Sequence, residues 1–171
     1  VNLAKEARES SSEKRRVYIA GSMSTHFGPD EEPSTGYMKS SYREQAHLLA
    51  EAGADFLVLE MMMAVGPAGD AIEAAVSTGL PVWVGFSCKM SEYDSQVVLL
   101  NSKGETFAQA LESLLPLEGS LVSVMHSRIE DTAPALRVVQ DQWNGPIGAY
   151  PESGTFVMPN WQFDQGVHPE E

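Results

Sequence analysis

The sequence predicts an α/β fold built on five parallel strands, and three observations carry that expectation. Short apolar runs end at Ala20, Glu60, Ser87, His126 and Tyr150, and a helical pattern bridges each successive pair. The run Phe56-Leu57-Val58-Leu59 is apolar on both faces, as a strand covered on both sides requires, and a carboxylate, Glu60, arrives only at its end. Right-handed crossovers then put all five carboxyl ends on one face, bringing Gly21, Glu60, Cys88, His126 and Tyr150 towards a common site. Five strands cannot close an eight-stranded barrel. They make either an open doubly wound sheet or a portion of a (β/α)₈ barrel with exposed edges, through which the chain is expected to self-associate.

Each element has a local reason. Val1 to Arg8 is a helical stretch ended by Ser10-Ser11-Ser12, and Arg16 to Ala20 is a strand closing on a Gly21-Ser22 turn where backbone can approach a ligand. Met23 to Ser41 carries His26, Gly28, Pro29, Pro33, Gly36 and Tyr37, and a loop of that length is a candidate lid. Tyr42 to Ala52 keeps helical spacing and stops at Gly53 before the strand Phe56–Glu60. Pro67 and Gly69 introduce a helix through Val76, stopped by Gly79, and Pro81 to Phe86 repeats the strand pattern. A polar excursion from Ser87 to Thr106 precedes a helix with Phe107, Ala110, Leu111 and Leu114 on one side. Leu121 to His126 is the next strand, followed by a helix from Ala133 to Trp143 with Pro134 in its first turn. Pro146 to Tyr150 is the last strand, and an aromatic, proline-rich tail with Phe156, Trp161 and Phe163 follows.

Composition narrows the class of partner. At 171 residues and 43% apolar content the chain is expected to form one domain, residues 1–171, with one core. A net charge of −13 argues against nucleic acid and against anionic membrane surfaces, both of which need clustered Lys and Arg. Small-molecule or protein partners are expected instead. The single cysteine, Cys88, excludes an internal disulfide and fits a reducing compartment. No apolar run approaches the roughly 20 residues of a membrane span, and no signal-peptide core opens the chain, so the expected location is cytoplasmic.

The order of the motifs resembles a known family. The Ala20-Gly21-Ser22 turn, Thr35-Gly36-Tyr37, Tyr42-Arg43 before Ala52-Gly53-Ala54-Asp55, Leu59-Glu60, Tyr150-Pro151-Glu152-Ser153-Gly154 and Asn160-Trp161 are together similar to the homocysteine S-methyltransferase family. That resemblance implies a zinc-dependent (β/α)₈ TIM barrel. In it a metal-bound homocysteine thiolate takes a methyl group from a small donor such as S-methylmethionine or betaine, a step of methionine biosynthesis. It implies that this chain supplies strands three to seven of such a barrel, truncated at both ends. Glu60 matches the glutamate that holds the substrate's ammonium group, and Gly21, Ser22 and Tyr150 complete the expected substrate-binding set. Two departures stand out. Ser123-Val124-Met125-His126 occupies the place of Gly-(Val/Ile)-Asn-Cys, so an imidazole replaces the first zinc thiolate and His126 becomes the expected metal residue. Glu152 stands where the family commonly has Asn.

Plainer readings stand beside these. His126 can be a neutral histidine bonded to a loop carbonyl, Glu60 can pair with Arg43, and Met61, Met62 and Met63 can be packing. Cys88 reads as a small residue at a strand end. A Schiff-base lyase using Lys89 is an alternative on the same fold, and a non-catalytic binding or assembly module is another.

Overall fold

In the computed structural model, which describes residues 1–11, 16–25, 35–157 and 162–166, the central feature is a five-stranded parallel sheet. Its strands are β1 (Ala20–Ser24), β2 (Phe56–Met62), β3 (Val82–Phe86), β6 (Leu121–Arg128) and β7 (Ile147–Glu152), hydrogen-bonded in the order β1-β2-β3-β6-β7. The strand order never reverses, which excludes the doubly wound alternative and matches an arc of a (β/α)₈ barrel. Within the described residues β1 and β7 each have one neighbour and form open edges.

Helices α2 (Thr35–Glu51), α3 (Val65–Val76), α4 (Phe107–Leu114) and α5 (Ile129–Gln142) follow the strands as crossovers, and α1 (Asn2–Ser10) precedes them. The core lies between sheet and helices. Leu57 and Leu59 of β2, Val82, Val84 and Phe86 of β3, and Val122 and Val124 of β6 are buried together with Ala46, Ala71, Ile72, Ala75, Leu111, Ala135 and Val139 of the helices. Burying a Val, Leu or Phe side chain contributes about 1.5–3 kcal/mol relative to exposure, so this layer holds the helices on the sheet. Alanines on α3 let that helix approach closely, and Phe107 meets Phe86 edge-on with ring centroids 5.4 Å apart. A capping box opens α4: the Thr106 hydroxyl accepts from the Gln109 N–H and the Gln109 side chain accepts from the Thr106 N–H. Gly53 and Gly79, both at positive φ, end the chain's turns out of α2 and α3.

Several boundaries differ from expectation. The strand placed at Arg16–Ala20 pairs as Ala20–Ser24, so Gly21 and Ser22 lie inside β1 and not in a turn. The reason is Asp55. Its carboxylate accepts the Ile19 N–H at 2.7 Å and its own N–H donates to the Ile19 carbonyl, so the ladder with β2 begins only after Ile19. Arg8 of α1 pairs with the same carboxylate at 3.0 Å, and the Ile19 N–H and then Arg8 hold the Asp55 carboxyl below its ordinary range. Helix α2 starts seven residues before Tyr42; Gly36, Tyr37, Lys39 and Ser40 are exposed there and give no apolar period to read. Lys39 anchors this turn to α3 through Asp70 at 3.1 Å and Glu73 at 3.0 Å. Tyr37 is thus helical, whereas His26, Gly28, Pro29 and Pro33 lie outside the described residues.

Helix α5 begins at Ile129, and Pro134 sits in its second turn, not its first. Glu130 and Asp131 in the opening turn oppose the positive end of the helix dipole. The excursion after β3 holds an antiparallel hairpin of β4 (Cys88–Met90) and β5 (Val97–Leu99), and the tail holds another, β8 (Gly154–Val157) with β9 (Gln162–Gly166). Trp161 lies outside the described residues.

Tyr42 gives a pH test of this packing. Its buried phenol, on the inner face of α2, is pushed up from 10.0 to about 12, first by desolvation and then by Asp70. Because the folded state keeps the proton longer than the unfolded chain, this contribution to stability is complete below pH 10 and is lost as pH rises towards about 12. Urea midpoints measured across that window are expected to fall with pH, and Tyr42→Phe to flatten the dependence.

Candidate functional site

Two of the strands are interrupted at their carboxyl ends. The β2–β3 register shifts between Leu59 and Met62, and the β6–β7 register shifts between Met125 and Arg128. At each shift a non-glycine residue takes positive φ: Met61 at 58° and His126 at 47°. Such a conformation costs on the order of 1–3 kcal/mol per residue and persists only where surrounding contacts impose it. Those contacts are visible. The Thr25 hydroxyl donates to the Met61 carbonyl at 2.8 Å, and the buried Ser127 hydroxyl, next to His126, donates to the Met125 carbonyl at 3.1 Å while accepting the Cys88 N–H at 2.8 Å. Bulges of this kind re-aim side chains at the rim of a barrel.

The consequence is a group of polar side chains gathered from three strands. His126 Nε2 lies 3.9 Å from Glu60 Oε2, and His126 Nδ1 lies 3.4 Å from Glu152 Oε1. The ring of Tyr150 stands edge-on to the imidazole with centroids 5.4 Å apart. The His126, Glu60 and Glu152 side chains are 26%, 36% and 27% exposed, which leaves each partly desolvated and still reachable by a ligand. Ser24 of β1 stands level with Glu60.

Of the expected residues, then, Glu60, His126 and Tyr150 come together. Ser22 lies lower on β1, level with Val58 and two positions before the height of Glu60. Gly21 is turned towards the helix layer: a Cβ there would meet Leu57 Cδ2 at 2.8 Å and Leu49 Cβ at 3.0 Å, so its role in the fold is to let α2 approach β1. Glu60 finds His126 as its partner in place of Arg43. Met62 and Met63 are buried as packing. Glu152 was visible in the sequence only as a departure from a family pattern; that it touches His126 follows from the β6–β7 pairing, which no spacing along the chain reveals.

Cys88 and Lys89 do not join this group. Cys88 is fully buried, and desolvation, followed by the nearby Asp131, pushes its thiol well above the ordinary range, so it is neither a nucleophile nor an open ligand. Lys89, exposed on β4, lines a separate cavity with Ser91, Tyr93, Asp94, Ser102 and Thr106, away from Glu60 and His126. The hydroxyl of Ser87, the residue after β3, is buried and has no hydrogen-bond partner among the described residues.

Metal binding can be tested on these donors. Glu60 and Glu152 address opposite nitrogens of one ring, so no single point is shared by all three groups, and Cys88 is sealed in the core. Among the described residues no set of three or more His, Cys, Asp or Glu could hold a metal ion. The residues present do not fit a complete zinc site.

Ser127 supports the bulge that carries His126, and its removal is measurable. Ser127→Ala leaves the buried Cys88 N–H without its acceptor and is expected to destabilise the fold by about 1–3 kcal/mol in urea titrations. The Cys88 thiol, whose burial is expected to protect it from alkylation in the native chain, is expected to react faster in that variant.

Comparison with known proteins places this geometry. No curated protein sequence matches the chain. Among solved structures, the apo form of the homocysteine methyltransferase MmuM from Escherichia coli superposes with a TM-score of 0.71 at 22% identity, covering 90% of this chain and 58% of that one. Its metallated form gives 0.69 at 21% identity, covering 90% and 56%. At this identity the likeness shows a shared fold, and the chain spans little more than half the length of these relatives. The sequence profile of the homocysteine S-methyltransferases matches residues 1–170, nearly end to end. The chain belongs to the homocysteine S-methyltransferase family.

Proposed function

We propose that the protein carrying this chain transfers a methyl group from a small donor, of the S-methylmethionine or betaine type, to the thiol of homocysteine. The observation that supports it most is the convergence of Glu60 and His126 at the carboxyl ends of parallel strands, in a chain whose family match runs from residue 1 to 170. Glu60 would hold the substrate's ammonium group: a partly desolvated carboxylate makes a charge-assisted hydrogen bond roughly twice as strong as a neutral one. Tyr150, edge-on to His126 and exposed, would flank the same site, and Ser22 lies further down β1. His126 is the candidate donor to a zinc ion at these strand ends, and among the described residues no set reaches the three protein ligands that a catalytic zinc uses. No step is therefore routed through the metal here. The single, unpaired cysteine supports a reducing, cytoplasmic setting. No specific observation favours a Schiff-base reaction at Lys89.

Transfer of a labelled methyl group to homocysteine by the natural protein tests the reaction. Glu60→Gln is expected to raise KM for homocysteine about 10- to 100-fold, the loss of one hydrogen bond to a charged group, with a smaller effect on kcat. No transfer from any sulfonium or quaternary ammonium donor would reject the reading. Calorimetric titration of the 171-residue chain with Zn²⁺ is expected to show weak binding only, and a tight stoichiometric complex would show that His126 has partners other than those described.

A further inference from the structure

The imidazole of His126 faces a carboxylate at each nitrogen, Glu152 at 3.4 Å from Nδ1 and Glu60 at 3.9 Å from Nε2. A neutral imidazole carries one N–H and one lone pair, and a carboxylate only accepts. One of the two glutamates can therefore be served by the ring, and the other faces a lone pair. The two contacts are not equivalent. Glu152 is the nearer, and it lies on β7, the strand hydrogen-bonded to β6 and level with Arg128. Tyr150, from the same strand, confines the ring edge-on. Glu60 reaches across from β2, with β3 between it and β6. Nearby positive charge does not alter the balance: Arg128 is paired with Glu130.

We propose that Glu152 is a positioning residue that takes the Nδ1–H of His126 and so presents the bare Nε2 to Glu60. The inference rests on the proposed function only in treating His126 as a site residue. It explains why an imidazole and a glutamate stand together here, in contact across β6 and β7. A carboxylate behind a histidine fixes its tautomer. The gap between Nε2 and Glu60 is then lined by a lone pair and a carboxylate. It accepts a group bringing positive charge or a proton, such as an ammonium, and repels an anion.

The tautomer can be read without substrate or metal. Long-range ¹H–¹⁵N correlation spectra of the ¹⁵N-histidine-labelled chain, at a pH where its four imidazoles are neutral, separate the two ring nitrogens of each. His126 is assigned by the signal lost in His126→Gln. The wild-type ring is expected to be protonated at Nδ1. Glu152→Ala is expected to move it towards the Nε2–H form, with Glu60 as the new acceptor, and Glu60→Gln to leave it unchanged. An Nε2–H ring in the wild type, or an identical spectrum in Glu152→Ala, would overturn the proposal. Circular dichroism checks the fold of each variant. If Glu152→Ala does not fold, the wild-type tautomer decides. Absence of methyl transfer would reject the reaction and leave this result standing, and the converse also holds.

Discussion

Parallel strands cannot be joined by tight turns, so each pair in this sheet needs a crossover, and each crossover helix must bury the apolar face that the strands present. The buried row Leu57, Leu59, Val82, Val84, Phe86, Val122 and Val124 is that face, and the helices are held by it. Everything at the carboxyl ends depends on this layer. Once the helices fix the hand of every crossover, five strand ends share one rim, and side chains far apart in sequence are brought within a few ångströms.

The rim is where the regular ladder gives way. Positive φ at Met61 and His126 would be unfavourable in an isolated strand, and hydroxyl groups of Thr25 and Ser127 meet the carbonyls that the irregular backbone releases. The strain has a result: Glu60 and His126, on strands separated by β3, face each other. At the opposite, amino-terminal end of the sheet the Phe56 and Trp83 rings lie 4.3 Å apart, and the Arg8–Asp55 ion pair precedes β2.

The motifs that located the family also located the rim, because strand ends are marked in sequence by a change from apolar to polar. Glu60 after Phe56–Leu59 and His126 after Leu121–Met125 were legible for that reason. A glycine at the end of an apolar run predicts a ligand-approach turn at Gly21. Its neighbour Leu49 comes from a different element, and that contact has no trace in local sequence. The hairpin of β4 and β5 escaped because three-residue strands are too short to show alternation.

The sequence by itself determined the alternation of strands and helices, the apolar faces and the residues at the strand ends, because apolar periodicity is a local property of the chain. Tertiary structure decided which nitrogen of His126 meets which carboxylate, that Cys88 is sealed in the core and that Lys89 opens onto another cavity. Those outcomes depend on register between strands. A bulge of one residue changes the direction of a side chain, and pairing partners dozens of positions away set where the bulge falls.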